Sequence, residues 1–493
     1  MKAITVETIR NLEDKAINKY GIPSIVLMEN AASGFVRALN CEYGNTAGKK
    51  ICLLCGKGNN GGDGYAIARL LHFGGAKVSV LPVFDTSLLS GDAKANAVAA
   101  KNMGVMFINK LDDEYDIIID AIFGTGFYGE VKSPIKELIE KANNTNSYIA
   151  SVDVPSGVSL TDITCDCFIK CDLCVTFGYA KLYQFTGRAQ SSFKKLIIAP
   201  ISIPEPNEYS MLICKKHFSL LPERNGISHK GTFGKVLAYV GSYGMSGAAV
   251  LSGSAVLKSG AGMLTLAVPD DIIPTIVHEF PSAMTLPLNS CTDISQKARD
   301  MDALLIGCGL GTSDTAKENL IKLIDCQKPT VIDADGLNLL CENVDLIKDK
   351  NVVLTPHVAE FSRLCGVGIA EIKKNPIKHI MDFCTQYGVC VVLKDAVTLI
   401  CDKSKKLAVC HAPNSGMATA GSGDVLAGII TSMLAQGLDT FDAACFGVYS
   451  HAAAGSIAKD NFGEAGMTSL DILNSVPKAF MSPCDITPHI KEL

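Results

Sequence analysis

The stretch KICLLCGKGNNGGDGYAIARLL, residues 50–71, joins a short apolar run to a glycine-rich segment and then to a helical pattern. Glycines permit positive φ and let backbone N–H groups approach a ligand, and the N-terminus of a following helix favours an anion. No GK[ST] closes the segment as in a Walker A loop, and its match to GxGxxG is imperfect. The stretch predicts a strand, a loop and a helix that could bind a diphosphate, or else a tight strand-to-helix turn.

Apolar runs and helical patterns alternate through the first half of the chain. Six runs are short, β-branched and continuously apolar, as strands buried on both faces of a parallel sheet are. Amphipathic stretches such as SPIKELIEKANN, residues 133–144, lie between them. The alternation predicts a doubly wound α/β sheet with strands within residues 50–55, 77–83, 116–123, 147–154, 172–178 and 194–201.

The alternation breaks at residues 200–234, which contain several prolines and no long periodic element. Such a segment is typical of a domain boundary, which we place near residue 212. We therefore predict two α/β domains, residues 1–212 and 213–493. Strand-like runs of the second domain end in Gly, Asp, His or Lys, and ligands of open α/β sheets lie beyond the carboxyl ends of strands. The second domain is expected to have its own active site.

The composition is that of a well-buried globular protein, since 48% of the 493 residues are hydrophobic and 19% are charged. The formal net charge is −5 and no block of five like charges occurs, which argues against nucleic acid or an anionic membrane as a partner. The N-terminus lacks the apolar core of a signal peptide, and no later run of about 18 apolar residues occurs. We expect a cytoplasmic protein.

Two groups among the 19 cysteines could hold zinc or an iron–sulfur centre. The alternative is that these cysteines are reduced, buried thiols. Alternate side chains of a strand point to opposite faces, so cysteines within strand-like runs do not converge on one metal. We favour buried thiols for the pair Cys52 and Cys55 and for the group Cys165, Cys167, Cys171 and Cys174.

Polar residues follow three apolar strands of the first domain, at Asn60, Asp120 and Asp153. The carboxyl ends of parallel strands meet at one edge of a sheet, so these residues should lie close together. Asn60, Asp120 and Ser156 would provide hard oxygen ligands for a cation, and Asp63 and Asp153 would bind a ligand or act in acid–base chemistry. Each carboxylate taken alone is equally well explained as a turn cap.

Four ordered motifs, GIPSIVLMENA (21–31), GKGNNGGDG (56–64), DAIFGTGF (120–127) and VDVPSG (152–157), make residues 1–210 resemble the NAD(P)HX epimerase family. The resemblance implies a Rossmann-like fold, with Asp153 at the reacting centre and Asp63 accepting hydrogen bonds from substrate hydroxyls. It implies a potassium ion held by Asn60, Asp120 and Ser156. Further implied substrate contacts are Asn59, Asn60, Gly61, Gly62, Asp63, Gly124, Thr125, Gly126, Phe127, Tyr128, Gly129 and Glu130. The sequence after Gly157 is shorter than the family pattern, so the local loop differs.

The stretch NSGMATAGSGDVLAGIITSMLAQG, residues 414–437, is the strongest functional signal in the second domain. A Gly-Ser-Gly-Asp turn opens a long apolar helix, so the N–H groups of Gly421, Ser422 and Gly423 can form an anion hole. Asp424 would take a proton from a hydroxyl that attacks a phosphoryl group. The structural alternative is a helix cap made by Asp424 beside turn glycines.

This turn, with HKGTFGKVLAYVGS (229–242), GCGLG (307–311), VIDADGLN (331–338) and LTPHVAEFSRL (354–364), resembles the ribokinase-like ADP- or ATP-dependent NAD(P)H-hydrate dehydratases. The resemblance covers about residues 228–437 and implies that Asp424 is the base and binds substrate. It implies further substrate contacts at Ala248, Ala249, Gly311 and His357. It places the nucleotide, with magnesium, at Lys394, Asp395, Ala396, Val397, Thr398 and Gly423. Asp395 replaces a glycine of the family motif, which puts a negative charge near the phosphates.

Together the two resemblances imply a bifunctional repair enzyme. Its first domain would interconvert the R and S forms of hydrated NADH and NADPH. Its second domain would phosphorylate the C6 hydroxyl of the S form from ADP or ATP and eliminate phosphate, restoring NAD(P)H. The alternative is a ribokinase-like small-molecule kinase fused to a non-catalytic Rossmann-like binding module. We also expect a homo-oligomer.

Overall fold

The computed structural model describes residues 1–112, 114–158, 166–290 and 293–493. The chain divides into two compact units, each described here by itself. The first unit contains Lys2–Ser210 and Pro488–Leu493, and the second contains Met1 and Met211–Thr487. The end of the chain thus returns to the first unit, whereas the sequence pattern suggested one continuous second domain.

The first unit is an α/β layer structure around a parallel sheet. Its strands are β1 (Lys2–Ile4), β2 (Lys50–Cys55), β3 (Lys77–Pro82), β4 (Met106–Phe107), β5 (Ile117–Ala121), β6 (Tyr148–Val152), β7 (Cys171–Phe177), β8 (Ala180–Lys181), β9 (Phe193–Ala199) and the last strand of the chain, β20 (Ile490–Glu492). Eight of them form the order β20-β9-β7-β6-β5-β2-β3-β4, with every neighbouring pair parallel. β1 pairs in parallel with β8. All six strands expected from the sequence are confirmed.

Helices of the first unit alternate with its strands as expected, and α2, α3 and α4 share one buried core with the sheet. They are α1 (Val6–Asp14), α2 (Ser24–Glu42), α3 (Asn59–Phe73), α4 (Gly91–Asn102) and α5 (Ile135–Asn143).

The last strand of the chain, β20, pairs with β9. Next to this pairing, the N–H of Leu196 donates to the carbonyl of His489 at 2.7 Å.

The glycines of residues 56–64 let neighbouring parts of the chain pack closely against them, and none of these glycines has positive φ. The segment from Asn59 onward already belongs to α3, so the expected loop is largely the first turns of this helix. A Cβ on Gly61 would lie 2.0 Å from the carbonyl oxygen of Gly56, and one on Gly64 would lie 2.6 Å from the Cβ of Ala121. Glycine is therefore required because α3 begins directly against the ends of β2 and β5.

The second unit contains a larger, mixed sheet. Its strands are β10 (Ser210–Leu212), β11 (Lys235–Tyr239), β12 (Met263–Val268), β13 (Met284–Pro287), β14 (Ala303–Ile306), β15 (Thr330–Ile332), β16 (Val352–Leu354), β17 (Cys390–Leu393), β18 (Thr398–Cys401) and β19 (Leu407–Cys410). Their order is β13-β12-β11-β14-β15-β16-β17-β18-β19-β10, and β18 is antiparallel to both neighbours.

The helices of the second unit bury a core rich in alanine and branched aliphatic residues. They are α6 (Ser246–Lys258), α7 (Ile273–Glu279), α8 (Ile294–Arg299), α9 (Asp314–Asp325), α10 (Asp335–Leu340), α11 (Val358–Cys365), α12 (Ile369–Lys374), α13 (Pro376–Tyr387), α14 (Ser422–Ala435), α15 (Thr440–Phe462) and α16 (Ser469–Ala479). α14 is apolar on all sides and almost entirely buried, which fixes its N-terminus firmly. In the described part of the chain, no helix has both the length and the apolarity to cross a membrane.

Candidate active sites

Asp120 anchors the turn that follows β5 in the first unit. One of its carboxylate oxygens accepts from the Ser156 hydroxyl at 2.5 Å and the Ile122 N–H at 3.2 Å. The other accepts from the Ser156 N–H at 2.8 Å and the Ser151 hydroxyl at 3.0 Å. Burial raises the pKa of Asp120, and these hydrogen bonds oppose that rise. Both oxygens already accept two hydrogen bonds each, so Asp120 would contact a cation directly only by exchanging one of them.

Asn60, on the first turn of α3, reaches the same turn. Its amide nitrogen donates to the carbonyl of Phe123 at 2.9 Å. Its amide oxygen is buried and has no hydrogen-bond partner among the described residues. A buried amide oxygen without a donor is costly in a folded protein. This orphaned oxygen fits the role of a ligand for a cation.

Asp153 lies after β6 in a left-handed backbone conformation, with φ of 64°. One carboxylate oxygen accepts from the Lys181 ammonium at 2.5 Å and the Thr176 hydroxyl at 3.1 Å. The Lys181 side chain is 1% exposed and also donates to Thr176 and to the Phe177 carbonyl, both at 2.9 Å. A non-glycine residue with positive φ is held only where its surroundings impose it. Asp153 and Lys181 form a fixed, buried ion pair.

A cavity of about 930 Å³ opens in front of this ion pair. That volume is at the upper end of the range found for small-molecule sites. Of the residues expected from the sequence, its lining includes Asn59, Asn60, Asp63, Gly124, Thr125, Gly126, Phe127, Tyr128 and Asp153. The described lining does not include Gly61, Gly62, Gly129 or Glu130.

Acidic groups at this cavity hold their protons unusually firmly. Burial, followed by the charges of Asp153 and Glu13, raises the pKa of Asp63 well above its usual range. Burial, followed by the charge of Asp153, also raises the pKa of Glu13. A protonated Asp63 can donate a hydrogen bond, whereas the sequence suggested only an acceptor. Arg10 of α1 donates to the Thr125 carbonyl at 3.1 Å and so ties the loop to α1.

The Gly-Ser-Gly-Asp turn of the second unit starts α14, as the sequence predicts. Gly421 has φ of 87°, and Asp424 lies on the first turn of the helix. A Cβ on Gly423 would lie 3.2 Å from the Lys394 ammonium and 3.5 Å from a carboxylate oxygen of Asp333. The N–H of Ser422 donates to the Thr419 carbonyl at 3.2 Å, so of the three N–H groups expected to form an anion hole, those of Gly421 and Gly423 are offered beside a charged pair.

Asp333 and Lys394 form that pair at 2.9 Å, and the Asp333 side chain is 2% exposed. Burial alone would lower the pKa of Lys394, but the charge and hydrogen bond of Asp333 outweigh it and raise this pKa. Burial, followed by the charge of Asp333, raises the pKa of Asp424 to about 6. Asp424 is thus a carboxylate at neutral pH that can accept a proton, as a general base must.

Apart from Asp424, the expected substrate contacts of the second unit lie on three separate elements. Ala248 of α6 approaches the GCGLG turn, because a Cβ on Gly309 would lie 2.8 Å from the Cβ of Ala248. Ala249 is fully buried. The N–H of Gly311 donates to Asp335 at 2.8 Å.

His357 caps α11. Its ring Nδ1 accepts from the backbone N–H groups of Ala359 and Glu360 at 3.1 and 3.3 Å. The backbone N–H of His357 donates to the Glu360 carboxylate at 2.8 Å. The ring therefore has a structural role whether or not it also contacts substrate.

The expected nucleotide segment connects β17 to β18. Asp395 and Ala396 are exposed there, whereas Val397 is buried. Lys394 and Thr398 are half-buried. The charge of Asp395 therefore faces solvent, while the charge of Lys394 is paired with Asp333.

Comparison with known proteins finds a matching family model for each of the two units. A family model described as NAD(P)H-hydrate dehydratase matches residues 236–478, and one described as YjeF-related protein N-terminus matches residues 24–183. A bifunctional NAD(P)H-hydrate repair enzyme Nnr of Coxiella burnetii is 36% identical over 474 residues, covering 94% of this chain and 96% of the relative.

The chain belongs to the family of bifunctional NAD(P)H-hydrate repair enzymes. The Escherichia coli relative of the same name is 32% identical over 489 residues, covering 96% of this chain and 92% of its own. A solved ribokinase-like superfamily protein of Enterococcus faecalis is 26% identical with a TM-score of 0.51, covering 56% of this chain and 98% of its own. The ribokinase-like fold expected for the second half is confirmed. The homo-oligomer and the cytoplasmic location stay predictions.

Several site residues of this repair-enzyme chain were not found by sequence reasoning: Arg10, Glu13, Lys181, Asp333 and His451. Lys181 and Asp333 do follow apolar strands, which was a usable signal. His451 lies in the middle of α15, and its Nε2 lies 3.2 Å from the Ser422 hydroxyl. Burial, followed by the charge of Lys394, lowers the pKa of His451 to about 4, so the ring is neutral at pH 7.

Four of the six cysteines in these two groups are buried in apolar strands, as the sequence suggests. Cys52, Cys55, Cys171 and Cys174 are free and buried. Burial raises the pKa of Cys52 to about 12 and that of Cys174 well above its usual range. Cys165 lies outside the described residues.

Proposed function

We propose that this chain repairs hydrated NADH and NADPH in two steps. The first unit interconverts the R and S forms of NAD(P)HX, and the second unit dehydrates the S form at the expense of ADP or ATP. The observation that carries the proposal is the presence, in one chain, of two charged clusters, Asp153 with Lys181 and Asp424 with Asp333 and Lys394, each within a segment matched by one of the two family models. Epimerisation supplies the S form, so the two sites together recover both epimers.

In the second unit we assign the base to Asp424. Its carboxylate takes the proton of the C6 hydroxyl while that oxygen attacks the terminal phosphoryl group of the nucleotide. The N–H groups of Gly421 and Gly423 stabilise the developing negative charge, whereas that of Ser422 donates to the Thr419 carbonyl. Phosphate then leaves C6 with its bonding electron pair, and loss of a proton from C5 to solvent restores the ring double bond.

Magnesium fits this site through its donor chemistry. The carboxylate of Asp335 follows β15, at the same end of the sheet as the phosphate-binding turn, and carboxylate oxygens suit Mg²⁺. Magnesium would neutralise charge on the nucleotide phosphates.

In the first unit we assign the reacting centre to Asp153. A carboxylate held against the ring would assist reversible loss of the C6 oxygen substituent, or ring opening, and the ion pair with Lys181 holds the Asp153 carboxylate in place. Potassium fits beside it at Asn60, with Asp120 and Ser156 shaping the turn. Potassium would add fixed positive charge close to the substrate-binding loop.

Incubating the protein with mixed epimers and either ADP or ATP, while following the absorbance of the restored dihydronicotinamide, tests the function. Consumption of both epimers with release of inorganic phosphate supports it. Consumption of the S form alone contradicts the assignment of the first unit. Accumulation of a stable phosphorylated product would instead identify the second unit as a small-molecule kinase.

The pH dependence of dehydration follows from Asp424. A base must be unprotonated, so activity is present above its pKa of about 6 and is lost as the pH falls through that value. At pH 5 only about one tenth of the protein would have the carboxylate form, and kcat/KM should fall about tenfold. Initial rates across pH 5 to 8 measure this. A kcat/KM that stays constant down to pH 5 contradicts the assignment.

Replacement of Asn60 by Leu tests the cation site. The variant removes the orphaned oxygen, so we expect the potassium concentration for half-maximal epimerisation to rise at least about tenfold. Potassium should also raise the thermal midpoint of the first unit in the unmodified protein but not in Asn60→Leu. Asn96→Leu replaces another buried asparagine of the same unit and serves as the control. An unchanged potassium response in Asn60→Leu contradicts the assignment.

A further inference from the structure

Cys308, Asp333 and Asp424 form a compact cluster at the phosphate-binding turn of the second unit. Cys308 lies in the GCGLG turn after β14, Asp333 directly after β15, and Asp424 on the first turn of α14. The thiol sulfur and one oxygen of each carboxylate all lie within 4.8 Å of one another. Cys308 is completely buried and Asp333 is 2% exposed. Three different elements thus direct one sulfur and two oxygen donors to a single point.

This donor set selects a particular class of cation. A thiolate is a soft ligand that favours Zn²⁺ and cations of similar character, whereas Mg²⁺ and Ca²⁺ take oxygen ligands only. Zinc bonds of about 2.3 Å to sulfur and about 2.0 Å to oxygen place tetrahedral ligand atoms about 3.3–3.5 Å apart. In the structure these atoms lie within 4.8 Å of one another, so binding would draw them together by up to about 1.5 Å.

The charges of the cluster also suit a divalent cation. A thiolate and two carboxylates bring three negative charges, and Lys394 at 2.9 Å from Asp333 brings one positive charge. A divalent cation brings the total to zero, which favours a site as buried as this one. On binding, the Cys308 thiol releases its proton to solvent, and both carboxylates turn an oxygen lone pair to the cation.

We propose that Cys308, Asp333 and Asp424 form a binding site for a thiophilic divalent cation, such as Zn²⁺ or Cd²⁺, whose occupation stops dehydration and spares epimerisation. A cation bound to Asp424 occupies the lone pair that would take the substrate proton. The inhibitory consequence rests on the proposed function of the second unit, but cation binding itself does not. Because the site uses residues of the second unit alone, the first unit provides an internal control.

Titration of the full-length protein with Cd²⁺ tests the site directly. The ultraviolet absorption of a thiolate–cadmium bond reports coordination by cysteine and needs no catalytic activity. Dehydration and epimerisation are then assayed separately after incubation with Cd²⁺. We expect Cd²⁺ to abolish dehydration and to leave epimerisation unchanged. The loss of dehydration should coincide with the absorption of one thiolate–cadmium bond per chain.

Cys308→Ser and Cys308→Ala remove the soft ligand, and Cys326→Ser removes a half-buried thiol elsewhere in the same unit as a matched control. Each variant is compared with its own rate without Cd²⁺. We expect Cys308→Ser to need at least about tenfold more Cd²⁺ for half-inhibition and to lose one equivalent of the absorption, while Cys326→Ser keeps the inhibition.

Equal inhibition of Cys308→Ser and the unmodified protein, or equal absorption in both Cys308 variants and the unmodified protein, would overturn the proposal. A protein that shows the Cys308-dependent absorption but never dehydrates NAD(P)HX would retain the cation site while refuting the proposed function.

Discussion

Asp424→Asn is expected to abolish dehydration while leaving epimerisation at its normal rate. The amide has the shape of the carboxylate but cannot take a proton, and positioned general bases contribute about 10²–10⁴-fold to rate. The neutral side chain also removes the repulsion from Asp333 that raises the pKa of Asp424. The variant should therefore fold at least as stably as the unmodified protein, and its loss of activity would be chemical.

Asp345→Asn is the matched control for this variant, because it makes the same change at an exposed aspartate of the same unit. Recovery of dihydronicotinamide absorbance from the S form, with ADP or ATP, measures dehydration, and the decay of the R form in the same sample measures epimerisation. If Asp424→Asn keeps more than about one tenth of the normal dehydration rate, another group is the base.

The strands of the first unit were predictable because each is buried on both faces and therefore continuously apolar in sequence. A second local pattern, the Gly-Ser-Gly-Asp turn before an apolar run, correctly predicted the start of α14. β20 escaped prediction because its three residues, Ile490–Glu492, pair with a strand almost 300 positions earlier, and nothing local distinguishes them from a polar terminus.

Pairings between distant residues explain the incomplete prediction of both sites. The sequence shows Asp153 and Asp333 at strand ends but does not show that Lys181 and Lys394 neutralise them, because those contacts depend on how β8 and β17 are placed in their sheets. The protonation of Asp63 likewise depends on residues that are distant in sequence. Its role changed from acceptor to potential donor because burial and two nearby carboxylates raise its pKa.

The sequence correctly indicated that residues 56–64 need glycine, but the physical reason inferred for this need was wrong. Their pattern suggested positive φ, yet each of these glycines has negative or extended φ. The requirement is for space, since a Cβ on Gly56 would lie 1.9 Å from the carbonyl oxygen of Ile122. Composition and spacing reveal that glycine is needed, but only the packed structure distinguishes the two causes.

Lys181→Met is expected to abolish epimerisation and to destabilise the first unit, with dehydration of the S form unaffected. The substitution leaves the Asp153 charge buried without its partner, and removing one partner of a buried ion pair costs about 3–5 kcal/mol. It also frees the strained backbone of Asp153 from the contact that holds its carboxylate. Thermal unfolding of the first unit and the two separate activity assays measure these effects.

The double variant Asp153→Asn with Lys181→Met separates stability from chemistry. Removing both charges replaces the ion pair by an amide and a thioether, so most of the lost stability should return. Epimerisation should stay absent, because no carboxylate remains at the reacting centre. Asp153→Asn alone should lose epimerisation and also leave the buried Lys181 ammonium unpaired. Epimerisation of the R form at the normal rate in Asp153→Asn would remove Asp153 from the reaction, and the ion pair would then be a purely structural element at the end of β6.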